Sequence, residues 1–318
     1  MDNSLRTHYS IIIPHHDIPE LLERCLQSIP VREDTQVIVV DDCSRQAVQE
    51  KLKGLERTYP HVQFVYSDKC GGAGKARNTG LDLASGTYLI FADADDYFSD
   101  NFNTILDRFD TYKEDIVYFR SKSVLSNDPS VSLSNLNWMD SIFENYFKTM
   151  DESEIRCGIH NPWAKFFRSD FIRNLGIRFE ERPYSNDIFF VVSAGCHAER
   201  IKVENDSLYY YTSREDSLTS HFAEKDGELE IRAEAAFNAS IIIKQAGYHL
   251  HYMPSTFFYS RLFHENKKLY RHYLKNAPLA YRSRWDAITQ VRWMEPGFAG
   301  KIWVYIYSLI CLLGFKQS

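Results

Sequence analysis

The sequence has no Cys-x-x-Cys pair; its six cysteines, Cys25, Cys43, Cys70, Cys157, Cys196 and Cys311, are scattered singly. Paired spacing is what a zinc knuckle or a dithiol redox motif requires, so the pattern argues against both and predicts free thiols in a reducing cytosol. Residues 1 to 9 are polar and charged, without the apolar stretch of a secretory leader. Ile302 to Phe315 is charge-free between Lys301 and Lys316, but its 14 residues fall short of the roughly 20 that cross a bilayer. There is no basic excess either: 37 Lys and Arg against 43 Asp and Glu give a net charge of -6. That balance speaks against nucleic acid as a partner, and an enzyme of anionic substrates would need a locally positive pocket or a metal.

What is present is apolar patterning. With 44% apolar and 14% aromatic residues in 318, the chain can bury one large α/β domain with added elements, or two domains. Ser10 to Ile13, Gln36 to Val40, Val62 to Tyr66 and Thr87 to Phe91 read as strands. Pro19 to Ile29, a stretch near Ala47 to Leu55 and about Gly74 to Ala84 have apolar residues at helical spacing. Continuous β-branched runs separated by helices predict a parallel sheet buried on both faces. Ligands of such sheets bind beyond the carboxyl ends of the strands, which puts Pro14 to Asp17, Asp41-Asp42, Asp68 to Arg77 and Asp93 to Asp96 on one rim. Further on, Ser185 or Asn186 reads as the cap of a helix with Asp187 in its first turn, where the dipole favours a carboxylate. Glu228 to Gln245 and Ser255 to Lys275 read as helices of a C-terminal region.

The strand Thr87 to Phe91 runs directly into Asp93, Asp95 and Asp96. Three like charges so close repel by roughly 1 kcal/mol per pair even in water, so the cluster calls for a divalent cation, a basic partner or open solvent. A calcium loop is disfavoured because Phe98 stands where the sixth-position glycine belongs; a metal shared with substrate phosphates fits better. Gly71-Gly72-Ala73-Gly74-Lys75-Ala76-Arg77 fails the phosphate-loop pattern at Lys69 and Ala76, and fails the dinucleotide fingerprint at Arg77. What survives is an anion site made of backbone N–H groups, Lys75 and Arg77 at a helix start.

Taken in order, Ser10 to Pro14, Val37 to Ser44, Gly72 to Gly80 and Ala84 to Asp96 resemble the successive signatures of family 2 glycosyltransferases, inverting enzymes of the GT-A fold with a mostly parallel, Rossmann-like sheet. The resemblance continues weakly through Trp163 to Phe167, Asn186 to Phe189 and Tyr209 to Ser217, and ends near 222. It implies a GT-A domain over 1–220, its nucleotide half at about 9–120, and a helical region over 221–318. It also implies Asp95 as ligand of Mn2+ or Mg2+, with Asp93 and Asp96 as neighbours. The donor pocket would be formed by Pro14, Asp17, Asp42, Gly72, Lys75, Arg77 and Asp93, and Asp187 would be the general base. His15-His16-Asp17, Cys43 and Asn186 depart from the family pattern, and Asn186 leaves Asp187 without an acidic neighbour.

The implied reaction moves a sugar from a nucleotide-diphosphate donor, a UDP-sugar in the first instance, to a hydroxyl of a saccharide or lipid-linked acceptor in surface polysaccharide synthesis. The implied location is cytoplasmic or peripheral on the inner face of the membrane. Arg261, Lys267, Lys268, Arg271 and His272, with the Ile302 to Phe315 run, are compatible with such attachment; a solvated helix face and a buried or oligomer-forming helix explain them equally. Two rival readings are a sugar nucleotidyltransferase, whose glycine-rich triphosphate loop is missing between Ile13 and Asp17, and a catalytically silent nucleotide-sugar-binding assembly protein.

Overall fold

The structure is a computed structural model and describes residues 7–214, 227–251, 253–294, 300–302, 304 and 306–309. The first part alternates strictly: β1 (Tyr9–His15), α1 (Pro19–Gln27), β2 (Thr35–Asp41), α2 (Gln46–Thr58), β3 (Val62–Tyr66), α3 (Gly72–Leu83) and β4 (Tyr88–Phe91). β1 is parallel to β2 and β4, and β2 to β3. Every residue of β1 and β4 is buried, which is why their sequences are apolar without alternation.

Then come β5 (Tyr97–Phe98), α4 (Phe102–Leu106), β6 (Ile116–Leu125), β7 (Asp128–Leu133), α5 (Asn137–Thr149), α6 (Ser153–Gly158), β8 (Lys165–Arg168), α7 (Ser169–Leu175), α8 (Ile188–His197) and β9 (Ile201–Ser213). They extend one sheet to the order β3-β2-β1-β4-β8-β6-β9-β5, with β7 paired to β6. β8 runs antiparallel to β4 and β6, while β6 and β9 are parallel. Chain order reverses between β1 and β4, and at such a switch point the loops beyond the strands part to leave a crevice. The acidic loop after β4 opens into it.

The C-terminal region is α9 (Glu228–Gln245), α10 (Pro254–Glu265), α11 (Lys267–Asn276) and α12 (Arg284–Met294). The helix expected over Ser255 to Lys275 is two helices. Asn266 ends the first and caps the second, its side-chain oxygen accepting the Leu269 N–H at 3.0 Å. The sheet has its own apolar core. The helices have a second, which takes in Cys157 of α6 and Ile188, Val192 and Cys196 of α8. Of the apolar C-terminal run, Val304, Tyr307 and Ser308 are buried against this second core; residues 310–318, with Cys311, lie outside the described residues, as does Ser217. No helix among the described residues is long and apolar enough to cross a membrane.

The expectation of free thiols is corrected at one pair. Cys43 and Cys70 form a disulfide, their Cα atoms 5.2 Å apart, while Cys25, Cys157 and Cys196 are free and buried. The two cysteines lie in the loops after β2 and β3, which are hydrogen-bonded neighbours, a proximity that a separation of 27 residues does not reveal. The thiol argument for a reducing compartment is thereby removed. Closing a loop of this length stabilises by about 3 kcal/mol. Dithiothreitol should therefore lower the urea midpoint of the wild-type protein and leave that of Cys70→Ser unchanged; equal midpoints for wild type with and without reductant would show that the bond does not form.

Candidate active site

Each loop that follows a parallel strand contributes to one rim, but several of the expected donor groups are engaged within the protein. Asp42 accepts the N–H of Gly71 at 2.8 Å and of Gly72 at 2.7 Å. The backbone amides of Gly71 and Gly72 at the start of α3 thus meet the protein's own carboxylate. Asp17 accepts the Arg45 N–H at 2.9 Å and pairs with the Arg45 guanidinium at 2.8 Å, and these contacts lower its carboxyl pKa. Pro14 lies inside β1 opposite Val40. Beside it His15 and Asp41 form a buried pair at 2.8 Å. His15 Nε2 accepts the Ile18 N–H, so Nδ1 carries the proton and donates to Asp41. Lys75 is half-buried on the rim, and its ammonium has no ion pair among the described residues.

The three acids after β4 have three different fates. Asp96 is 1% exposed and accepts the Thr212 N–H at 2.7 Å; burial and the charges of Asp95 and Asp93 push its pKa well above the usual carboxylate range. It braces the loop from inside and does not face the crevice. Asp95 has a partly exposed carboxylate in contact with Arg214 at 3.2 Å, while its carbonyl accepts from Arg24 at 2.5 Å and from the Thr212 hydroxyl at 2.6 Å. Burial, then Asp93, raises the Asp95 pKa against the pull of Arg214 and Arg24. Asp93 gives its N–H to the Tyr209 hydroxyl at 2.8 Å and pairs with Arg77 at 2.5 Å. Trp163 stacks on Tyr209 with ring centres 5.1 Å apart, so an aromatic floor fixes the height of the loop.

Arg77 joins the two halves of the site. Its guanidinium, 5% exposed, donates to Asp93 Oδ1 and to Asn186 Oδ1 at 2.8 Å, over the Phe179 ring. Asn186 is therefore not the cap of α8, and neither is Ser185. Asp187 itself occupies the cap position and makes no capping hydrogen bond, so its carboxylate is not engaged with the helix terminus. Burial raises the Asp187 pKa, with Arg77 and Lys165 opposing. Lys165 is 1% exposed, donates to the Asn161 carbonyl at 2.5 Å, and burial pushes its ammonium down to about 7.

Sequence reasoning missed Arg24, Thr212, Arg214 and Lys165. The tyrosines at 209–211 and the Trp163 to Phe167 segment marked two of these neighbourhoods, but nothing local identifies Arg24, which reaches Asp95 from 71 residues away.

The crevice therefore presents two carboxylates, Asp93 and Asp95, paired with the guanidinium groups of Arg77 and Arg214. Among the described residues no group of three or more His, Cys, Asp or Glu side chains could by itself hold a metal. Two carboxylates suit a hard cation that completes its shell with water and substrate phosphate. Arg214 holds Asp95 through one ion pair, and its own Nε is buried without an acceptor.

A sheet of this order, with an acidic strand end at the switch point, has the GT-A architecture. The sequence model described as glycosyl transferase family 2 matches residues 10–174, more than half of the chain, and the chain belongs to that family. It is 27% identical over 218 residues to the uncharacterized glycosyltransferase EpsJ of Bacillus subtilis (strain 168), covering 66% of this chain and 62% of that protein. It is 26% identical over 219 residues to the poly(ribitol-phosphate) beta-N-acetylglucosaminyltransferase TarS of Staphylococcus aureus (strain MW2), covering 65% and 36%. The match thus spans less than two thirds of either relative. Among solved structures, S. aureus TarS 1-349 in complex with UDP-GlcNAc superposes with a TM-score of 0.62 at 23% identity over 89% of this chain and 81% of that one. The mannosyltransferase PcManGT from Pyrobaculum calidifontis, in complex with GDP-Man and Mn2+, gives 0.52 at 16% over 97% and 81%. At these identities the likeness shows the fold alone.

Proposed function

We propose that the protein is an inverting, metal-dependent glycosyltransferase that moves a sugar from a nucleotide-diphosphate donor, a UDP-sugar, to a hydroxyl of a saccharide or lipid-linked acceptor in polysaccharide synthesis. The observation that carries this reading is the Arg77 bridge. One buried guanidinium spans Asp93 on the acidic loop and Asn186 beside Asp187, so an acid site and a candidate base face one crevice. Membership of the family, and relatives and fold neighbours whose names and bound nucleotides belong to sugar transfer, support it.

Asp95, with Asp93, would hold Mn2+ or Mg2+, which when bound neutralises charge on a leaving diphosphate. The chain's own groups do the rest. Lys75 lies free on the rim to meet phosphate oxygens. Arg77 fixes Asp93 against Asn186, and Asp187, unengaged by its helix, takes the acceptor proton. Asp17 and Asp42 set the loops of the donor pocket through Arg45 and Gly71-Gly72. Cytoplasmic placement, peripheral membrane contact and self-association belong to this proposal as its cellular setting.

The test incubates the protein with UDP-, GDP- and dTDP-sugars, with and without Mn2+, and follows nucleoside diphosphate release. Metal-dependent release with one donor supports the reading. Binding without release from any donor, even with saccharide acceptors added, would favour the silent assembly protein. Asp95→Ala should weaken donor binding by about tenfold or more in the presence of Mn2+, and little in its absence, since a charge-assisted contact contributes about 1.5–3 kcal/mol. Calorimetry reads this directly, and equal affinities for the variant and wild type with Mn2+ would remove Asp95 from the metal site.

A further inference from the structure

The helical region holds a cavity of about 580 Å3 that the reaction above does not use. It lies between the segment joining α9 to α10, with His249 and Met253, and the stretch from Arg282 through α12 to Trp293. Its volume falls within the range of small-ligand sites, whereas leftover packing defects are smaller and apolar. Its wall is charged and aromatic.

The hydrogen-bonding balance of that wall is one-sided. Two of its acceptors already take protein donors: Asp286 takes the Arg282 backbone N–H at 3.1 Å and the Gln290 amide at 3.3 Å, and the Gln290 oxygen takes the Met253 N–H at 3.0 Å and the Thr256 hydroxyl at 2.9 Å. The Arg282 guanidinium and the His249 ring, both exposed at this wall, have no ion pair or hydrogen bond among the described residues. A guanidinium without a protein partner at the mouth of a cavity favours an anionic ligand, and its fork suits the paired oxygens of a phosphate or carboxylate. The Trp293 indole is 64% exposed at the same wall, with Lys301 5.1 Å from its ring centre. An exposed indole offers a flat, electron-rich face against which the C–H face of a sugar ring packs.

We propose that this cavity binds a sugar unit bearing an anionic group, with the ring against Trp293 and the anion on Arg282, and that it holds a remote unit of the acceptor glycan. The wall connects to the site through Glu154 of α6, which accepts the His251 N–H at 3.0 Å; α6 packs on α8, the helix headed by Asp187. The origin of the ligand rests on the transferase reading, but binding to the cavity does not.

The test uses the full chain with 15N-labelled tryptophan, the Trp293 indole signal being assigned through Trp293→Phe. Glucose 6-phosphate, glucuronate, glucose and inorganic phosphate are titrated separately. Glucose 6-phosphate or glucuronate should shift the Trp293 signal saturably, and Arg282→Gln should weaken that binding by about tenfold or more, as loss of a charge-assisted hydrogen bond does. UDP affinity should be the same in wild type and Arg282→Gln. If UDP, GDP and dTDP all fail to bind, with and without Mn2+, while the Trp293 shift persists, the transferase reading fails and the cavity assignment stands. Three results would overturn the proposal: no saturable shift up to about 10 mM, beyond the millimolar range of a weak single-site contact; a shift unchanged in Arg282→Gln; or inorganic phosphate or glucose alone binding as tightly as the anionic sugar.

Discussion

Asp187→Asn should lower turnover by about 10²- to 10⁴-fold, the range of a general-base contribution, while donor affinity measured by calorimetry stays within a factor of two. The substitution is nearly isosteric, and Asp187 makes no capping hydrogen bond that an amide would break, so the helix should keep its place. What is lost is a proton acceptor beside the crevice. The pH profile gives an independent reading. A base works only when deprotonated, and burial raises the Asp187 pKa. Activity should therefore fall, on acidification, at a pH above the ordinary carboxylate range, and this limb should be missing from the residual activity of the variant. Normal turnover in Asp187→Asn would refute the assignment, and an acid limb at ordinary carboxylate pH would show that solvent reaches the group freely.

Arg77 bears on that pH limb as well. Its guanidinium lowers the Asp187 pKa against the burial that raises it, and it is held in place by Asp93 and Asn186. Where the family pattern has an acid, Asn186 accepts a hydrogen bond from Arg77 without adding a second negative charge beside the base. That neutral partner keeps the base from being driven still higher by a like charge.

The first half of the fold was legible because burial on both faces writes itself into sequence as unbroken apolar runs. Three such runs locate β1, β2 and β4, the broken run Val62 to Tyr66 marks the edge strand β3, and together they place the rim beyond them, including Asp93 and Asp95. The role proposed for Asp187 rests on the resemblance, since position alone made it a helix-start acid. The rest depends on contacts between distant segments. Thr212 and Arg214 reach the acidic loop because β9 returns beside β5 and β6, more than a hundred residues after β4. Asp42 holding Gly71 and Gly72, and Cys43 bonded to Cys70, both follow from the adjacency of β2 and β3. No local pattern encodes that adjacency. The break at Asn266 was missed because the apolar spacing runs across it while the capping oxygen is a single side chain.

Gly74→Ala should destabilise the protein by about 1–3 kcal/mol and lower kcat/KM by about 10²-fold, and the same change at Gly54 should do neither. Both glycines lie inside helices, where alanine is intrinsically better by about 1 kcal/mol, so propensity alone predicts stabilisation at each. Surroundings decide the sign. At Gly54 in α2 the nearest atom to a new methyl is the tip of the flexible Arg57 side chain at 4.0 Å, and the gain stands. At Gly74 in α3 the methyl would sit 2.1 Å from the Glu180 carbonyl oxygen and 3.1 Å from Asn186 Cβ. Backbone must move, at an overpacking cost of about 1–3 kcal/mol that outweighs the propensity gain. It cannot move freely. Asn78 grips the same loop through both the Phe179 carbonyl at 3.0 Å and the Phe179 N–H at 2.9 Å, and Glu180 donates to the Asn186 carbonyl at 3.0 Å. Displacement therefore passes to Asn186 and the adjoining Asp187, where a shift of about 1 Å lowers the rate by about 10²-fold. Urea unfolding and steady-state kinetics on the pair of variants read both effects. Equal stabilities for Gly74→Ala and Gly54→Ala would mean that α3 does not press on the loop, and a destabilised but fully active Gly74→Ala would separate that packing from the position of Asp187.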